Sequence, residues 1–115
     1  MRVFMRAKIH GIKVTDKNLK YDGSQTLPKS LLEEVDIRPY EQIHVLNVSN
    51  GERWVTYAIE GKEGECILNG AAARLGEIGD ELIILAYQYI DAPISGSPPL
   101  PLGYPLPKVV HYSKE

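Results

Sequence analysis

The chain has 115 residues, the length of one domain over residues 1–115, and a domain of that size removes roughly two-thirds of its unfolded surface from water. Thirteen Lys and Arg against fifteen Asp and Glu give a formal charge of −2, which excludes a sequence-wide basic field for nucleic acid or an anionic membrane and favours small or neutral partners. Cys66 is the only cysteine, which excludes an internal disulfide and a thiolate-rich metal centre and fits a reducing, cytoplasmic setting.

Residues Val3 to Ile9 alternate, with Val3, Met5, Ala7 and Ile9 on one face and Phe4, Arg6, Lys8 and His10 on the other, which predicts a strand. The same alternation deprives the N-terminus of the continuous apolar stretch of a signal peptide. At Gly11 the phase slips, because Ile12 and Val14 become the apolar positions. A glycine at a phase slip predicts a bulge or bend. Thr15 to Lys20 reads as a polar loop leading into a turn at Tyr21-Asp22-Gly23-Ser24.

Pro28 to Val35 reads as a short helix, with Pro28 in its first turn and Leu31, Leu32 and Val35 on one face, ended by Arg38-Pro39-Tyr40. Gln42 to Val48 and Arg53 to Ile59 are rich in β-branched and aromatic residues, and Asn50-Gly51 between them signals a hairpin. After a turn at Gly61 to Gly64 come a short strand, Glu65 to Leu68, and a brief helical turn over Asn69 to Arg74. Gly79-Asp80 introduces the strongest strand, Glu81 to Ile90; its longest apolar run, Leu82 to Tyr87, falls far short of the roughly 20 residues that span a bilayer. Residues 92–107 hold most of the chain's eight prolines and are expected to form an extended loop, before a strand resumes at Lys108 to Tyr112. No repeat recurs at a fixed period. Many short strands, few helices and a phase slip predict a mainly β fold, a small barrel with short helices.

The tetrad Tyr21-Asp22-Gly23-Ser24 carries chemistry of its own. If Ser24 Oγ attacks the Gly23 carbonyl, the amide becomes an ester, and elimination followed by hydrolysis leaves a pyruvoyl group where Ser24 stood. Gly23 suits that attack because it lacks a Cβ. The alternative is an ordinary turn, since Asp-Gly and Gly-Ser are common turn dipeptides.

Several separated blocks resemble the pyruvoyl-dependent aspartate 1-decarboxylase family: Lys8-Ile9-His10, Val14-Thr15, Tyr21-Asp22-Gly23-Ser24, Asn47-Val48-Ser49-Asn50-Gly51, Arg53 with Thr56-Tyr57-Ala58, and Asn69-Gly70-Ala71-Ala72-Ala73. They stand in the family's order and spacing over roughly residues 1 to 90, and together are far more specific than any one alone. The resemblance implies a six-stranded double-psi β-barrel and a homotetramer with active sites between neighbouring subunits. It implies conversion of L-aspartate to β-alanine and carbon dioxide for pantothenate synthesis. It also implies self-cleavage between residues 23 and 24, giving chains 1–23 and 24–115, the longer beginning with the pyruvoyl cofactor derived from Ser24. No metal is implied, and whether a helper protein assists maturation stays open. Leu46 stands where well-known members carry an aromatic residue, and the proline-rich segment differs from familiar tails.

The resemblance also distributes roles. Ser24 forms the Schiff base with the substrate amine, whose iminium takes up the electron pair left by carbon dioxide. Tyr57 resembles the proton donor to the α-carbon, with a plain strand aromatic as the alternative. Thr56 is the candidate donor to the oxyanion formed on Gly23, or else a β-branched strand filler. Arg53 suits a bidentate grip on one substrate carboxylate and Lys8 a point charge for the other or for the imine. His10, two positions from Lys8 on the same strand face, is a secondary candidate for proton transfer. Asn69 and the backbone of Gly70, Ala71 and Ala72 offer hydrogen bonds where small side chains admit a ligand. His44 and His111 show no metal-ligand spacing. Two other readings remain open: a decarboxylase of another small acidic amino acid, and a non-catalytic β-barrel binding or assembly module.

Overall fold

The alternating N-terminus becomes a twelve-residue strand, β1 (Arg2–Lys13), in a computed structural model that describes residues 1–20, 22–91 and 106–112. β1 pairs antiparallel with β7 (Glu81–Ile90), and the register slips between His10 and Ile12, where Gly11 has a φ of +96°. The phase slip in the sequence is therefore a β-bulge, and a second slip lies between Met5 and Ala7. Between them in the chain lie β2 (Asp16–Asn18), β3 (Ser24–Pro28), a helix α1 (Lys29–Val35), β4 (Gln42–Asn47), β5 (Arg53–Gly61), β6 (Ile67–Asn69) and a 3-10 turn (Gly70–Arg74); β8 (Lys108–His111) comes after β7. Apart from Leu106 and Pro107, the expected loop over 92–107 lies outside the described residues.

Several expectations are corrected. Residues 16–18 form β2 against β6 rather than a loop, and Ser24 opens a strand, β3, instead of closing a turn. Every residue of β3 is buried, between β5 on one flank and β6 on the other. Pro28 accordingly ends this strand and sits just before α1, the N-cap position, rather than within the first helical turn.

The strands pair in the order β2-β6-β3-β5-β4-β7-β1-β8. β2 and β1 stand six strand spacings apart in that order, which in a flat sheet is about 29 Å. Only Val14 and Thr15 separate Lys13 from Asp16 in the chain, a link that reaches about 11 Å at most. The sheet must therefore curl until its ends meet. The seam is stitched by the Val14 N–H donating to the Asp80 carbonyl and the Thr15 N–H donating to the Cys66 carbonyl, at 2.9 and 2.8 Å. The mainly β expectation holds, and among the described residues the pairing strands number eight rather than six once the three-residue β2 and the edge strand β8 are included.

Cross-strand register sorts side chains into an inner and an outer row. Ile9, Ile84, Val45 and Trp54 pair in sequence across four strands and fill the core. The next row, His10, Ile83, Leu46 and Arg53, faces outward and is at least partly exposed.

Cys66 lies in the core, fully buried, with the Gln25 amide donating to its Sγ at 3.4 Å. Burial pushes its thiol up to about 12, against the lowering effect of that hydrogen bond. The unfolded thiol ionises near about 8.5. Between these values the folded state keeps a proton the unfolded state has lost, so stability is fully present below the unfolded value and falls as pH rises toward the folded one. The slope approaches about 1.4 kcal/mol per pH unit. Urea melts at pH 8 and pH 10.5 are expected to show a smaller loss for Cys66→Ala than for the unaltered chain; parallel losses would remove the thiol from this account.

Candidate active site

β3 delivers Ser24 to the centre of a small polar cluster. Ser24 pairs with Asn69 of β6, and a strand's period of two puts Ser24 and Thr26 on one face. The Asn69 Nδ2 donates to Ser24 Oγ at 2.9 Å and to Thr26 Oγ1 at 2.8 Å. All three residues are buried, Ser24 completely. Thr26 escaped the sequence reading, although its position two residues beyond Ser24 would have flagged it had β3 been recognised. Asn69 is thus the side-chain donor that reaches the Ser24 hydroxyl.

Gly23, just before β3, is exposed. A Cβ built there would meet nothing within 4 Å, and its φ is not among the positive ones. Neither packing nor backbone conformation demands glycine in this arrangement.

β5 lies parallel to β3, with Gln25 opposite Ala58, so continuing the register by one residue sets Tyr57 beside Ser24. The Tyr57 ring also lies 6.0 Å from that of Tyr40, whose N–H donates to the Ala58 carbonyl at 2.7 Å. Arg53 and Tyr57 share the outer face of β5. Thr56 points the other way, paired with fully buried Ile43. Thr56 therefore sits on the core-directed side of β5, and the register that sets Tyr57 beside Ser24 sets Thr56 beside Gly23.

Gly70, Ala71 and Ala72 come directly after Asn69 in the 3-10 turn, with Gly70 at a φ of +66°. The block from Asn47 to Gly51 turns out to be scaffolding for that turn. Asn47 Nδ2 donates to Asp80 Oδ2 at 2.9 Å and to the Leu75 carbonyl at 3.3 Å, and Asn50 Nδ2 donates to the same carbonyl at 3.0 Å. The Asn47 amide, then the Glu77 N–H, hold the Asp80 carboxyl below its ordinary value.

Lys8 and His10 are placed apart from this cluster. β1 is flanked by β7 and β8, so neither residue has β3 or β6 as a strand neighbour. Among the described residues no hydrogen bond or ring contact joins them to Ser24, Thr26, Asn69 or Tyr57. Lys8 and Arg53 form no ion pair among the described residues. Both cations are uncommitted.

A sequence profile of the family described as Aspartate decarboxylase matches residues 1–97. The chain belongs to the aspartate decarboxylase family. It is 52% identical to the aspartate 1-decarboxylase of Pyrobaculum islandicum over 95 residues, covering 83% of this chain and 79% of that protein. It is 52% identical to the aspartate 1-decarboxylase of Kosmotoga olearia over 88 residues, 75% of this chain and 76% of that one. The aspartate 1-decarboxylase of Thermoanaerobacter pseudethanolicus is 53% identical over 93 residues, 78% and 79% of the two chains. Among the described residues no helix is long and apolar enough to cross a membrane, and no three His, Cys, Asp or Glu side chains are gathered to hold a metal.

For this family member Asn69→Ala gives a sharp test of the cluster. Losing the donor that orients Ser24 Oγ is expected to slow scission of the 23–24 bond about tenfold, the rate equivalent of one hydrogen bond. The check is fragment accumulation by intact mass against time. An unchanged rate would remove Asn69 from the cleavage chemistry.

Proposed function

We propose that this chain is an aspartate 1-decarboxylase that converts L-aspartate to β-alanine and carbon dioxide in the cytoplasm, using a pyruvoyl group made from Ser24. The observation that carries the reading is the buried Ser24 hydroxyl held by Asn69 beside an exposed Gly23. Self-cleavage begins when Ser24 Oγ bonds to the Gly23 carbonyl carbon while the 23–24 C–N bond breaks, leaving an ester. Elimination then breaks the Ser24 Cβ–O bond, releasing Gly23 as a new carboxylate terminus, and addition of water expels ammonia from residue 24. Asn69 Nδ2, already at hydrogen-bond distance from Oγ, orients the attacking hydroxyl, and Thr56, beside Gly23 in the β3–β5 register, is the donor for the charge that develops on the Gly23 carbonyl oxygen.

These surroundings fit the group. Thr26 and Asn69 furnish polar contacts, and the residues that follow Asn69, Gly70, Ala71 and Ala72, are all small. The pyruvoyl ketone supplies an electrophile for the substrate amine and a sink for the electron pair left by departing carbon dioxide. Tyr57 returns a proton to the α-carbon. Arg53 grips a substrate carboxylate through its fork of N–H donors.

Lys8 and His10 come from a neighbouring copy in a homotetramer. Two features support this: β1 carries them away from Ser24, and the outer rows they belong to hold Ile83, Leu85, Leu46 and Val55 incompletely covered. A partly exposed apolar face bordered by uncommitted cations suits association of identical chains.

The experiment is intact-mass analysis with and without a ketone-trapping amine reagent, alongside carbon dioxide release from L-aspartate and L-glutamate. Fragments 1–23 and 24–115, with only the longer one trapped and only aspartate turned over, are expected. A single uncut chain with no trapped carbonyl would point to a binding module instead.

A further inference from the structure

β8 lies beyond the 97 residues matched by the family, yet it is docked on the strand that carries Lys8 and His10. The pairing is parallel, with Lys8 opposite Val109 and His10 opposite His111. The Tyr112 N–H extends it by donating to the His10 carbonyl at 2.8 Å. Val110 and Tyr112 are packed against the core and anchor the strand.

The two imidazoles meet as a result of that register, their centroids 5.3 Å apart and their planes tilted by 36°. His10 Nδ1 is buried and has no hydrogen-bond partner among the described residues. A histidine ring is ordinarily oriented by the bond its second nitrogen makes. Here that means of orientation is missing. On the β7 side its cross-strand neighbour is Ile83, which offers no polar group. The ring of His111 is the remaining directional contact.

The backbone is shaped for this arrangement. At the Gly11 bulge a Cβ would lie 3.3 Å from the Tyr112 carbonyl oxygen, so glycine makes room for the end of β8. A cleft of about 430 Å³ opens there, lined by His10, Gly11, Lys13, Thr15, His111 and Tyr112 among others. Covering the edge of β1 requires only the backbone of β8. It does not require a second imidazole against the first.

We propose that His111 is a positioning residue for decarboxylation, holding the His10 ring in the orientation in which it borders the substrate. This rests on the reading that His10 lines the active site of a neighbouring copy. β8 is then part of the catalytic unit, and the half-site on β1 is built from both ends of the chain. His111 itself touches neither substrate nor the reacting atoms.

The test uses the full-length, processed enzyme, with processing verified by mass in every variant. The variants are His111→Ala, His111→Phe, His10→Ala and the double His10→Ala/His111→Ala, read by kcat, KM and the ring resonances of His10 in nitrogen-15 NMR. In His111→Ala the His10 resonances are expected to shift and broaden and kcat to fall on the order of tenfold, with KM within about twofold. His111→Phe, which keeps a planar ring against His10, is expected to restore both. In the His10→Ala background, His111→Ala is expected to cost nothing more. His10 resonances unmoved in His111→Ala, or losses that simply add in the double variant, overturn positioning by His111 even when His10→Ala is crippled. Full activity in His10→Ala overturns the proposal from the other side, through the role of His10 itself.

Discussion

Ser24→Ala is expected to leave a folded, uncut polypeptide of 115 residues with no carbonyl to trap and no carbon dioxide release from aspartate. The reason is chemical: alanine has no oxygen to attack the Gly23 carbonyl, so neither the ester nor the ketone can arise. The fold should tolerate the loss. The hydroxyl's one side-chain partner is the Asn69 amide, which continues to donate to Thr26 Oγ1 at 2.8 Å. One N–H of the buried Asn69 amide loses its acceptor, so the cost in stability is about 1–3 kcal/mol. Intact mass, a urea melt and a carbon dioxide assay on one preparation decide the matter. Carbon dioxide release at the normal rate from the Ser24→Ala protein would end the pyruvoyl reading.

The second large effect separates making the catalytic group from using it. Tyr57→Phe is expected to process normally, because the proposed cleavage chemistry rests on Ser24, Gly23, Thr56 and Asn69. Its kcat for aspartate should fall by about two to four orders of magnitude, the usual worth of a positioned proton donor. The phenyl ring keeps the contact with Tyr40 at 6.0 Å, so a gross rearrangement of β5 is not expected. KM should change little, since the hydroxyl acts after the substrate is bound. A Tyr57→Phe enzyme that releases carbon dioxide at close to the normal rate would hand the proton to another group.

Much of the framework was legible because it obeys simple periods. Val3 to Ile9 alternates since one face of β1 meets the core and the other does not, and the slip at Gly11 is a bulge that only a glycine reports so openly. The Asn50-Gly51 hairpin between β4 and β5 could be read from turn chemistry alone. β3 was hidden for the opposite reason. Ser24-Gln25-Thr26-Leu27-Pro28 is buried throughout, so no polar and apolar faces distinguish themselves, and its hydroxyls and amide find partners on β6 that local sequence cannot reveal. β2, at three residues, is too short to show any period.

The site was legible as a set of residues and not as an arrangement. Ser24 with Asn69 and Tyr57 with Ser24 are consequences of the pairings of β3 with β6 and β5, contacts between positions more than thirty residues apart. The same register set Thr56 between Ile43 on one flank and, two residues before Gln25, the position of Gly23 on the other. Lys8 and His10 were assigned by resemblance to the chemistry of Ser24, yet a single chain sets them on a strand with other neighbours.

The seam between Lys13 and Asp16 would govern the fate of the two pieces that the proposed scission at residues 23 and 24 creates. The severed N-terminal piece retains β1, bonded along both of its flanks by β7 and β8, and β2, bonded to β6. It is woven through both margins of the curled sheet, so it has no single surface from which to peel. Breaking the covalent link should therefore set nothing adrift. A chain cut there is expected to travel as two interlocked pieces, the shorter escaping only when the fabric itself is undone by denaturant.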